Sequence, residues 1–112
     1  MKIWYNYFNL KTKELSMLNQ EDILSYLTEH KKEFQEKYNI EQIGLFGSYA
    51  RNEAHEYSDI DIYVKMPPKM FKLIALKQQI ENDLKKSVDI LRAHKHMKPF
   101  LLKMIQKDIA YV

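Results

Sequence analysis

Two aspartates one residue apart, Asp59 and Asp61, are the side chains whose type and spacing point most directly to chemistry. They lie in Asp59-Ile60-Asp61-Ile62-Tyr63-Val64, where polar and apolar residues alternate as in a half-buried strand. Alternate side chains of a strand share a face, so both carboxylates would point the same way, about 7 Å apart, while Ile60, Ile62 and Val64 enter the core. Such a pair suits a hard divalent cation such as Mg²⁺, held jointly with substrate phosphates. Upstream, Ile43-Gly44-Leu45-Phe46 reads as a short apolar strand and Gly47-Ser48 as a turn into a helical start at Ser48-Tyr49-Ala50-Arg51. Both glycines of the chain, Gly44 and Gly47, fall here. Glycine allows a ligand to approach the backbone closely, and the free N–H groups of a helix start form a phosphate site. A phosphate turn beside a cation-binding strand points to a nucleotide.

A third carboxylate, Asp89, sits in the apolar run Val88-Asp89-Ile90-Leu91. Two readings are open: an edge-strand aspartate facing water, or one whose burial would be costly unless a cation shared with Asp59 and Asp61 offsets it. The upstream pair favours the second. Arg51 likewise reads either as a cation for phosphate or partner, or as a solvated helix charge.

Taken together, Gly47-Ser48-Tyr49-Ala50-Arg51, Glu53-Ala54 and Ser58-Asp59-Ile60-Asp61 resemble the signature of the nucleotidyltransferase superfamily related to DNA polymerase β. More narrowly they resemble its minimal nucleotidyltransferases, the antitoxin partners of HEPN-domain toxins. The resemblance runs over residues 19–112, which defines an expected nucleotidyltransferase domain after an N-terminal extension at 1–18. Asn52 departs from the glycine that many relatives carry after the arginine, and is expected to alter the helix start. The resemblance implies an α/β (α+β) fold with a small mixed sheet flanked by helices. It implies two Mg²⁺ ions held by Asp59 and Asp61, with Asp89 completing the catalytic one and helping to take a proton. Gly47, Ser48 and the turn's N–H groups, with Arg51, would bind the triphosphate of ATP. The implied reaction is attack of a hydroxyl on the α-phosphorus with release of pyrophosphate. The chain ends soon after the third carboxylate, so a partner would complete the acceptor site. The resemblance suggests a HEPN toxin, a ribonuclease with a tyrosine that relatives modify with AMP. Two other functions stay open, a non-catalytic antitoxin acting by contact and a small-molecule (antibiotic) nucleotidyltransferase.

The remaining chain must position these residues. Its 112 residues, 46% hydrophobic and 29% charged, are enough for one domain with a real core. No apolar run is long enough to span a membrane, and the absence of cysteine fits the cytoplasm. The net charge of +3 is too mild and dispersed for a direct nucleic-acid binder. Ile3, Trp4, Tyr5, Tyr7, Phe8 and Leu10 crowd the N-terminal stretch, either as an arm for a sheet edge or partner or as an extension outside the family pattern. Asn19 caps a helix ending near Asn39, with Ile23, Leu27, Phe34 and Tyr38 as its stripe and His30 packed beside it. A first strand is expected over Ile40 to Phe46. Pro67-Pro68 ends the second strand. A helix over Lys69 to Lys86 is expected to bury Met70, Leu73, Ile74, Leu76, Ile80 and Leu84. Pro99 opens a third helix with Met97, Leu101, Met104 and Ile105 as its stripe, before a closing strand at Ile109 to Val112. Glu53 reads as a surface charge, His55 and Tyr57 as rim residues, and His94 and His96 as a solvated loop.

Overall fold

The amphipathic segment after Asn19 forms the first helix of a computed structural model that describes residues 18–112. The aromatic arm lies outside the described residues. Helix α1 (Gln20–Tyr38) starts at a closed capping box. The Asp22 N–H donates to Asn19 Oδ1 at 2.9 Å, and the Asn19 N–H donates to Asp22 Oδ2 at 3.0 Å. It stops at Asn39, whose φ of 59° is left-handed. Ile23, Leu27, Phe34 and Tyr38 are buried as expected, and Tyr26 joins them. Tyr26 can be buried because its hydroxyl donates to Asp83 at 2.5 Å, tying α1 to a later helix. His30 is packed between the rings of Tyr26 and Phe34 and contacts the Tyr26 carbonyl through Nδ1, a structural histidine.

The chain continues through β1 (Gln42–Phe46), the one-turn helix α2 (Gly47–Ala50), β2 (Ile60–Lys65), α3 (Met70–Leu84), β3 (Val88–Arg92), α4 (Pro99–Asp108) and β4 (Ala110–Tyr111). The sheet order is β3-β2-β1-β4. β1 pairs antiparallel with β2 and β4, whereas β2 and β3 run parallel, joined by α3. This is the expected small mixed sheet. Register places Ile43, Leu45, Ile60, Ile62, Val64 and Val88 in one buried layer with Ile23, Leu27, Phe34, Leu76 and Ile80. The opposite face carries Gly44, Phe46, Asp61, Tyr63 and Asp89. The faces of β2 are therefore divided by chemistry, with aliphatics holding the strand and a carboxylate free to act.

The two later helices bury less than the sequence pattern suggests. In α3, Leu76, Ile80 and Leu84 are buried and Leu73 is half-buried. Met70 and Ile74 are exposed, as is Phe71, so the Met and Phe are not core filling. At ~100° per residue the first four fall on one side of the helix and the other three lie around from it. In α4, Pro99 does occupy the first turn, but only Ile105 of the proposed stripe is buried, while Leu101 and Met104 face outward. The first strand begins at Gln42, with Ile40 buried ahead of it.

Gly44 serves packing rather than a ligand. A Cβ there would lie 2.9 Å from Ile109 Cγ1 and 3.1 Å from the Ala110 carbonyl, where the chain returns from α4 to pair with β1. Gly44→Ala should therefore destabilise the fold by about 1–3 kcal/mol, the usual overpacking cost. Nucleotide binding at the refolded protein should persist. Thermal melts with and without nucleotide separate the two effects.

Candidate active site

The β1–α2 junction forms around Gly47. Its φ is +78°, which glycine adopts without strain, and a Cβ would fall onto Asp61 Oδ2. The turn and the carboxylate are thus in direct contact, as the opposition of Phe46 to Asp61 in the β1–β2 register requires. Ser48 follows, half-buried at the start of α2. The helix is shorter than its sequence suggests. Arg51 is its C-cap, with its N–H donating to the Gly47 carbonyl at 3.2 Å, and the Glu53 N–H donates to the Ser48 carbonyl at 2.9 Å. Asn52 has a φ of +58°, so it ends the turn instead of altering the start. Asparagine is among the few residues besides glycine that visit this region readily. The departure from glycine at this position is thereby accounted for.

Asp61 lies beside Asp89 in the parallel register of β2 and β3, strands about 4.8 Å apart. Asp59 stands just ahead of β2. Asp61 is half-buried, whereas Asp59 and Asp89 are exposed. Burial pushes the Asp61 carboxyl above the usual carboxylate range, and the charges of Asp89 and Asp59 push it further; the Arg51 guanidinium pulls it back. The sequence argument about a costly buried carboxylate thus applies to Asp61, and Asp89 is an edge-strand residue facing outward. Among the described residues no three His, Cys, Asp or Glu side chains close around one point as a ready-made metal cage. The donor chemistry nevertheless fits Mg²⁺. Three hard, mutually repelling carboxylates share one region, and this ion usually keeps water and phosphate oxygens in its shell.

Arg51 is already engaged. Its Nε and Nη1 donate to Glu53 and Asp108 respectively, each at 3.0 Å, which links the Gly47 turn to the end of α4. Its charge still acts on Asp61. His55 and Tyr57 are exposed in the loop before Asp59, with Ser58 Oγ accepting the His55 N–H at 2.9 Å. His94 and His96 are exposed in a turn after β3, away from any clustered ligand set among the described residues.

The polymerase β nucleotidyltransferase family model matches residues 28–110, covering the turn, the aspartates and strands β1 to β3. The protein adenylyltransferase MntA of Thermococcus cleftensis is 39% identical over 100 residues, which cover 88% of this chain and all of that protein. The chain belongs to the polymerase β nucleotidyltransferase family. Solved structures share the fold. A chain described as a minimal nucleotidyltransferase superposes with a TM-score of 0.70 at 25% identity, covering 85% of this chain and 97% of that one. A second neighbour comes from a complex of an MNT antitoxin with a tri-AMPylated HEPN toxin of Shewanella oneidensis. It has a TM-score of 0.53 at 22% identity, covering 83% of this chain and 67% of that one, and it speaks for the fold alone.

In this nucleotidyltransferase two residues near the site were not singled out by sequence reasoning. Asp108 anchors Arg51 from 57 residues away, a pairing that no local pattern announces. Tyr49 is 1% exposed, and among the described residues its hydroxyl has no hydrogen-bond partner. Burial raises its phenol pKa, and the nearby Asp59 carboxylate raises it further. An unpaired buried hydroxyl costs about 1–3 kcal/mol. Tyr49→Phe should accordingly leave the melting temperature unchanged or raise it. A clear loss of stability would show that the hydroxyl makes a bond essential to the fold.

Proposed function

We propose that this nucleotidyltransferase moves AMP from Mg-ATP to a tyrosine hydroxyl of a partner HEPN-domain toxin, acting as its antitoxin. The observation that carries the reading is the contact between Gly47 and the Asp61 carboxylate, on which the charges of Asp89 and Asp59 also act; it supports a phosphate-binding role for the turn. Ser48 and the N–H groups of the turn hold the β- and γ-phosphates. Asp59 and Asp61 would hold Mg²⁺, with Asp89 as a further carboxylate ligand. When bound, the metal ions neutralise charge on the triphosphate and stabilise both the attacking and the leaving oxygen. The tyrosine oxygen forms a bond to the α-phosphorus as the bond to the β-phosphate oxygen breaks. Its proton passes to the Asp89 carboxylate, and pyrophosphate leaves. Asp89 suits that task because it is exposed at the sheet edge, where an incoming hydroxyl can reach it. Arg51 offsets negative charge beside Asp61.

Incubation of the protein with Mg-ATP and its HEPN partner tests this directly. AMP should appear on a partner tyrosine by mass spectrometry, and Mg-ATP alone should raise the melting temperature. A ligand at ~100 times its Kd stabilises a fold by about 2.7 kcal/mol. Absence of both the thermal shift and the modification would overturn the proposal.

A further inference from the structure

The outward face of α4 is the strongest unassigned surface among the described residues. Phe100, Lys103, Met104 and Lys107 recur at the spacing of one helix face and line a groove of about 720 Å³ with Arg51 and Asp108. Phe100 is 75% and Met104 54% exposed, although the other side of the helix already buries Ile105. Single exposed apolar residues are ordinary, but an apolar row along a groove marks an interaction site. Arg51 is paired with Glu53 and Asp108, whereas no ion pair is found for Lys103 or Lys107 among the described residues. Arg51 ties the groove to the turn that precedes the carboxylates, since it lines the groove and is the C-cap of α2.

We infer that this groove docks an acidic, partly apolar segment of the protein that accepts the nucleotide, and so delivers its hydroxyl to the carboxylates. The inference rests on the reading of the chain as a protein-modifying nucleotidyltransferase. Charge decides among the occupants. A second copy would bring the same lysines to the same face, and the N-terminal stretch carries Lys2, Lys11 and Lys13 against Glu14. Both are cationic and would be repelled. Single-stranded nucleic acid would match the lysines and could stack a base on Phe100. The +3 net charge is mild for a nucleic-acid binder, whereas an acidic amphipathic segment covers Phe100 and Met104 together and pairs the lysines.

The test compares wild type with Lys103→Glu/Lys107→Glu and with Phe100→Ala/Met104→Ala, using the cognate HEPN-domain protein as probe. Circular dichroism melts confirm that each variant folds, and Mg-AMP-PNP affinity is measured alongside. The charge reversal should weaken the complex by about tenfold or more at low salt, with the difference shrinking as salt rises. The truncation should weaken it at every salt concentration. In both, KM for the partner should rise while Mg-AMP-PNP binding stays at the wild-type value. Wild-type binding in both variants would overturn the groove but leave the activity standing. A wild-type chain that neither binds nor modifies the partner would remove the activity and the groove together. Loss of single-stranded RNA binding in the variants, with partner binding intact, would assign the face to nucleic acid and overturn the inference.

Discussion

Replacing Asp61 with asparagine should stop nucleotide transfer and at the same time stabilise the metal-free protein. The first effect follows from its place against the Gly47 turn and beside Asp89. In the proposed role as a metal ligand, its loss removes several kcal/mol of transition-state stabilisation, or a rate loss on the order of 10³-fold or more at ~1.4 kcal/mol per tenfold. The second effect follows from the electrostatics. Asp61 is half-buried and repelled by Asp89 and Asp59, and Arg51 offsets only part of this. An amide of the same shape escapes that cost. Stopped transfer with a melting temperature equal to or above wild type is the expected result. Wild-type rates in Asp61→Asn would sink the assignment of the site.

The same carboxylate sets a pH dependence whose sign is fixed. Its folded pKa is raised, so the unfolded chain releases this proton first as pH rises from about 4. Between the unfolded and folded values the native state binds more protons, and stability falls with rising pH through that window. Below it Asp61 costs nothing, and above it the cost is fully present. The gain from Asp61→Asn should therefore grow with pH across the window and then level off. The proposed binding of Mg²⁺, which would need the ionised form, should release protons in the same range. A stability gap between mutant and wild type that does not change with pH would remove Asp61 as the source.

The parts of the site that were legible in the sequence are those encoded locally. Strict alternation around Ile60 and Ile62 fixed the face of Asp61, and Asn19 marked the start of α1 because a helix cap acts within a few residues. The later helices were harder to read. Met70, Phe71, Leu73, Ile74 and Leu76 are apolar almost all round α3, so periodicity could not say which side meets the sheet. In α4 the same ambiguity hid the division between Ile105 and the outward Phe100, Leu101 and Met104. Non-local pairings were the other blind spot. The two glycines look alike in sequence, yet Gly44 yields to Ile109 and Gly47 to Asp61. Arg51 looked available, and Asp108 was waiting across the fold. Asn52 was noticed as a departure, but its left-handed backbone became visible only with the turn itself.

Gly47→Ala should lower both stability and activity, and a double mutant can divide the cause. Left-handed backbone costs an L-residue about 1–2 kcal/mol, and here the φ is +78°. The added Cβ would also fall on Asp61 Oδ2 and lie 3.0 Å from its Cγ. Asp61 or the turn must then move, and either shift breaks the contact between the turn and the carboxylate. A melting temperature lower by roughly 4–8 °C per kcal/mol is expected for a domain near this size, together with a transfer rate reduced about 10²-fold. Gly47→Ala in an Asp61→Ala background keeps the backbone strain but removes the carboxylate from the path of the new Cβ. The double mutant should thus be more stable than the two single changes sum to, with a coupling of ~0.5–3 kcal/mol as for residues in contact. Strict additivity would mean that glycine is required for its φ alone. The coupling, measured on the metal-free protein by denaturant unfolding, reports the contact between turn and carboxylate without any need for turnover. That contact is the geometry on which the proposed chemistry depends.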